Sequence, residues 1–122
     1  MTFARQRLGH EGEDLACAEL ERRGYVVLTR NHRSRFGELD IVARDGDTVV
    51  FVEVKARLGG EFGDPAEAVT PRKQQRLVAM AEEYVSRHRL HDTPCRFDVV
   101  AVETGMTPPR ITLYKDAFRP GW

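Results

Sequence analysis

Two short runs, Gly37-Glu38-Leu39-Asp40-Ile41 and Val50-Phe51-Val52-Glu53-Val54-Lys55, place charged side chains inside stretches that otherwise have the β-branched content of strands. Successive strand side chains point to opposite faces, so Val50, Val52, Val54 and Ala56 share one side while Val49, Phe51, Glu53 and Lys55 share the other. In the earlier run Leu39, Ile41 and Ala43 form an apolar row, and Glu38, Asp40 and Val42 point away from it. Asp45-Gly46 marks a hairpin turn between the two. If both apolar rows face one core, odd positions of the first strand lie opposite even positions of the second, a parity that a two- or four-residue loop satisfies. Asp40 then falls beside Glu53, with β-carbons roughly 5–8 Å apart for a direct or diagonal pair.

Two carboxylates at that separation repel unless a cation lies between them. A hard divalent ion such as Mg²⁺ suits the pair, because it takes oxygen ligands and is commonly held by one or two carboxylates together with water and phosphate. A further acid comes from the preceding segment, about Gly9 to Arg23, whose Leu, Ala and Glu content reads as a helix closed by Gly24. Glu13 heads the stripe Glu13, Ala16, Cys17, Leu20 and so looks inward, whereas Glu11, Asp14, Glu19 and Glu21 have no such stripe and read as solvated charges. Val49 and Phe51, in the same row as Glu53 and Lys55, argue that this row is covered, which makes an uncompensated charge there costly. The competing reading is the solvent face of an antiparallel strand.

The chain's 122 residues suit one domain, 1–122, and its 41% hydrophobic content is enough for a core. No apolar run approaches a membrane span and no signal-like N-terminus is present, so no membrane association is expected. Two cysteines, Cys17 and Cys95, do not make a disulfide framework, and a reducing cytoplasm is the expected location. The histidines lack zinc-site spacing, no Gly-x-Ser-x-Gly elbow marks a nucleophile, and the glycines near Gly59, Gly60 and Gly63 lack the lysine of a phosphate loop.

After Tyr25-Val26-Val27-Leu28, read as the first strand, and the acidic hairpin, Leu58 to Asp64 reads as a loop that would close over substrate. Thr70-Pro71 caps a second helix with Leu77, Ala81, Tyr84, Val85 and His88 at helical spacing. Arg96 to Glu103 and Arg110 to Tyr114 complete the strands. The expected fold is α/β, a mixed sheet flanked by helices in the order αβββαββ, with a β-α-β crossover leaving the Glu53 strand.

Taken together, Gly12-Glu13, Asn31-His32-Arg33, Gly37-Glu38-Leu39-Asp40-Ile41, Val50-Phe51-Val52-Glu53-Val54-Lys55, Ala66-Glu67-Ala68-Val69-Thr70 and Arg96-Phe97-Asp98-Val99-Val100 resemble the YraN-type UPF0102 family over nearly the whole chain. The resemblance implies a restriction-endonuclease-like fold with a core similar to that of archaeal Holliday junction resolvases. It matches Glu13 to the helix acid, Asp40 and Glu53 to the metal acids, and Lys55 to the catalytic lysine of that nuclease superfamily. Glu67 and Asp98 also lie in matching motifs but take no role in this chemistry.

The expectation is therefore an endonuclease dependent on Mg²⁺ or Mn²⁺ and acting on DNA, with branched or repair intermediates as candidate substrates and RNA not excluded. Net charge is formally zero, which argues against a protein that simply coats nucleic acid. Arg33, Arg35, Arg57 and Lys73 are the candidate phosphate contacts around the acidic centre. A noncatalytic nucleic-acid-binding or repair accessory protein is the alternative, and a structural interaction domain is a third. A homodimer is compatible with a small domain that has no separate reader module.

Overall fold

The computed structural model of the chain describes residues 3–58 and 69–120. The elements run α1 (Phe3–Arg22), β1 (Val26–Ser34), β2 (Gly37–Asp45), β3 (Thr48–Arg57), α2 (Pro71–Arg87), β4 (Cys95–Glu103) and β5 (Arg110–Tyr114), the expected αβββαββ order. The glycine-rich loop expected after β3 lies, beyond Leu58, outside the described residues, as does Glu67.

The five strands form one sheet in sequence order, antiparallel except for the parallel β3–β4 pair that α2 connects. Asp45 pairs with Thr48, so the β2–β3 loop is the two residues Gly46-Asp47, with Gly46 at φ +60°, and the parity inferred from alternation holds. Both sides of the sheet are covered, rather than one. Ala16, Cys17 and Leu20 of α1 pack on Ile41, Ala43, Val50, Val52, Val100 and Val102. On the opposite side Leu77, Met80, Ala81 and Tyr84 of α2 pack on Val42, Val49, Phe51, Phe97 and Val99. The solvent-face reading of the Glu53 row thus gives way to a row that begins beneath α2.

Three local features depart from the sequence reading. The first helix starts before Gly9, and the first strand continues past Leu28 to Ser34, taking Asn31-His32-Arg33 into a hairpin with β2. The third concerns Leu39, which packs on the α2 side with Val42 and not on the α1 side with Ile41. The cause is a kink. Asn31 has φ +52°, and the β1–β2 ladder pairs Arg30 with Ile41 and His32 with Leu39 but leaves out Asn31 and Asp40 between them. Across that gap the alternation reverses: Arg30 bonds Asp14 of α1 at 2.7 Å, while His32, two residues later, meets the Tyr84 ring of α2 edge-on. The β2–β3 ladder stops at the same level, at Ile41–Val52.

Helix α1 ends in a Schellman motif. The Tyr25 N–H donates to the Leu20 carbonyl and the Gly24 N–H to that of Glu21, with Gly24 at φ +90°. Tyr25 is thereby delivered to Asp98, which is fully buried on β4. The Asp98 carboxylate accepts from the Tyr25 hydroxyl, from Arg96 Nε and from the Asp116 N–H, each at 2.9 Å. Arg96 also reaches Asp45 at the foot of the β2–β3 hairpin. The role that chemistry could not assign to Asp98 is therefore structural: it ties α1, β4, the hairpin and the C-terminal segment together.

Gly12 lets α1 approach β3. A β-carbon at Gly12 would lie 2.6 Å from the Ala56 β-carbon, a clash with an atom that cannot move without its backbone. An exposed helical Gly→Ala change stabilises by about 1 kcal/mol, whereas overpacking of this kind costs about 1–3 kcal/mol. Gly12→Ala should therefore lower stability in urea titration by up to about 2 kcal/mol, and adding Ala56→Gly should recover part of the loss. A Gly12→Ala protein more stable than the parent would show that the helix does not need this close approach.

Candidate metal centre

The kink sets the position of Asp40. Where β2 and β3 cease to pair, the Asp40 carboxylate takes the place of a strand partner, its Oδ2 accepting the Val54 N–H at 2.8 Å. The β2–β3 register, continued by one residue, sets Asp40 opposite Glu53. Their carboxyls face one another in an open cleft of about 710 Å³ that Glu13, Lys55, Arg57 and Lys73 also line. Glu13 arrives from α1 on the residue after Gly12, so the close helix–strand approach is also what brings the third acid to the cleft.

The electrostatics are those of acids crowded out of water. Asp40 is pushed up to about 8, first by burial, then by the charge of Glu53. The Val54 N–H opposes that rise, and Glu13 adds to it. Among the described residues Glu13 Oε2 is buried without a hydrogen-bond partner, and Arg30 lies 3.8 Å from it. Glu53 has a cationic neighbour that the sequence reading did not pair with it: Lys73 Nζ lies 2.6 Å from Glu53 Oε1. Lys73 is the third residue of α2, where the Thr70 side chain caps its backbone N–H. Lys55 is exposed at the cleft and has no carboxylate partner among the described residues.

The structure thus gathers Glu13, Asp40, Glu53 and Lys55 as expected, but it divides the basic candidates. Lys73 is inside the cleft. Arg57 lines it too, yet is buried and bonded to Glu103 at 3.0 Å, which makes it part of the β3–β4 framework more than a free phosphate contact. Arg33 and Arg35 lie at the β1–β2 turn and do not line the cleft; Arg33 faces Glu38 at 3.5 Å and Arg35 faces Glu83 at 3.8 Å. Among the described residues no three acidic, histidine or cysteine side chains already converge as a closed ligand set. The oxygen donors of Asp40 and Glu53, with an orphaned Glu13 oxygen behind them, fit a hard cation that keeps several waters, and they fit zinc poorly. Lys73 was legible only as a basic residue near a helix start, because nothing in its local spacing announces a partner twenty residues earlier.

The Asp40 shift carries a stability consequence whose sign is fixed. A carboxyl whose folded value, about 8, lies above its ordinary 3.8 favours the folded state below pH 4, and that contribution is lost as pH rises from about 4 through about 8. In chelator, Asp40→Asn should be more stable than the parent at pH 8 by at least about 1 kcal/mol, with the advantage vanishing near pH 4. Parallel stability profiles for the two proteins across this range would mean that Asp40 titrates as an ordinary carboxylate.

The chain matches the model of the uncharacterised protein family UPF0102 over residues 12–102. It is 51% identical over 112 residues to a UPF0102 protein of Syntrophus aciditrophicus, covering 92% of this chain and 88% of the relative. It is 49% identical over 121 residues to one of Anaeromyxobacter dehalogenans, covering 96% and 90%, and 44% identical over 117 residues to one of Dehalococcoides mccartyi, covering 96% and 97%. The matched span contains every residue of the cleft named above, and the chain belongs to the UPF0102 family.

Proposed function

We propose that this protein is a divalent-cation-dependent nuclease that hydrolyses phosphodiester bonds of DNA, with the Asp40–Glu53 pair as its metal-holding centre. The observation that carries the reading is the meeting of these two carboxylates, at the point where β2 and β3 part, with a lysine and a third acid in one solvent-open cleft. The αβββαββ order with a mixed sheet agrees with the restriction-endonuclease-like fold that the sequence resemblance implies.

Asp40 and Glu53 would hold Mg²⁺ or Mn²⁺ through their facing oxygens, and Glu13 would add a ligand or hold a coordinated water from the α1 side. When bound, such a cation supplies Lewis acidity toward a phosphoryl oxygen and acidifies water. The Val54 N–H fixes one Asp40 oxygen and thereby directs the other. Lys55, two residues beyond Glu53 on the same strand row, would orient the attacking water and offset charge developing on the phosphate. The exposed Arg33 and Arg35 stand at the end of β2 nearer Asp40 and would contact the nucleic-acid backbone farther from the scissile bond.

Asp40→Asn and Glu53→Gln should fold, lose Mn²⁺ binding in calorimetry and lose cleavage of linear, single-stranded, flapped and four-way-branched DNA. Lys55→Ala should keep Mn²⁺ binding while its single-turnover rate falls by on the order of 10²–10³. Unchanged Mn²⁺ affinity in both acid variants would remove the metal centre. Wild-type DNA binding in Ca²⁺ without cleavage of any substrate in Mg²⁺ or Mn²⁺ would favour the noncatalytic nucleic-acid-binding alternative.

A further inference from the structure

Glu53 stands between two neighbours of opposite character. Asp40 faces it from the neighbouring strand, and Lys73 Nζ lies 2.6 Å from its Oε1 on the other side. The ammonium therefore pairs with one of two close carboxyls. Lys73 is anchored at its base and loose at its tip: its backbone N–H is capped by Thr70 behind Pro71, while its side chain is 37% exposed against 11% for Glu53. A divalent ion held by a Glu53 oxygen would sit beside that ammonium, and two cations cannot share the same oxygen edge without strong repulsion. The four-carbon stem of Lys73 lets Nζ swing away while remaining in the cleft, where Lys55 already presents positive charge.

We infer that Lys73 is a displaceable counter-cation and a phosphate-binding residue of this site. It neutralises Glu53 in the metal-free protein and transfers to a nucleic-acid phosphate when a divalent cation takes Glu53. The inference rests on the metal-centre reading and adds to it a coupling. Metal binding frees a cation that needs an anion, and a bound phosphate stabilises the lysine away from Glu53, so divalent cation and nucleic acid bind cooperatively.

Lys73→Met keeps the apolar stem and removes the charge. By calorimetry without nucleic acid, Lys73→Met should bind Mn²⁺ about tenfold more tightly than the parent, a coupling of ordinary size. Adding Ca²⁺ should raise affinity for a short DNA duplex in the parent more than in Lys73→Met. In chelator, thermal unfolding of Lys73→Met, Glu53→Gln and the double variant should be non-additive, because both single changes break one ion pair. Equal or weaker Mn²⁺ binding by Lys73→Met overturns the displacement and makes Lys73 a residue that merely positions Glu53. Additive losses in chelator overturn the ion pair itself. A parent that binds no Mn²⁺ overturns the metal centre, a result distinct from both.

Discussion

Two carboxylates held closer than water would leave them, on adjacent strands of a sheet covered on both sides, are the constraint to which the rest of this molecule answers. Asp40 lies where β2 and β3 stop pairing, and Glu53 lies one residue past the last pair. The repulsion is offset on every available side. The Val54 N–H serves Asp40, Lys73 serves Glu53, and Asp40 takes a proton far more readily than an ordinary carboxyl. None of these devices improves packing. A sheet built only for stability would place two apolar side chains here, and the repulsion between the carboxyls is the observation that supports the proposed cation site.

The framework that imposes this proximity is made of ordinary parts. Asn31 in the left-handed region reverses the alternation of β1 and β2 together, which opens the ladder at Asp40. Gly12 brings α1 close enough to β3 for Glu13 to reach the cleft. At the other end of the hairpin, the Asp98 network with Tyr25, Arg96 and Asp45 fixes β2 and β4 relative to α1. Asp98 is buried and fully hydrogen-bonded, so its charge is a source of geometric definition more than of net stability.

Much of this was legible because period-2 alternation and a two-residue turn determine strand register almost completely. Opposing Asp40 to Glu53 needed only parity. The caps were equally readable: Thr70-Pro71 opens α2 and Gly24 closes α1 where their chemistry requires. What escaped were features that depend on a third element. The side taken by Leu39 depends on φ at Asn31 in the neighbouring strand, the tolerance of Gly12 inside a helix depends on Ala56, and the partner of Glu53 comes from the next helix. Arg57 read as a free basic residue because Glu103, its partner on β4, is brought in by the parallel pairing alone.

The most direct test of the metal centre is the anomalous scattering of Mn²⁺ in crystals of this protein. The account predicts a peak between the Asp40 and Glu53 carboxylates, with Lys73 Nζ withdrawn from Glu53. No peak at that pair, or a peak held by other residues while the Lys73–Glu53 contact persists, would contradict it.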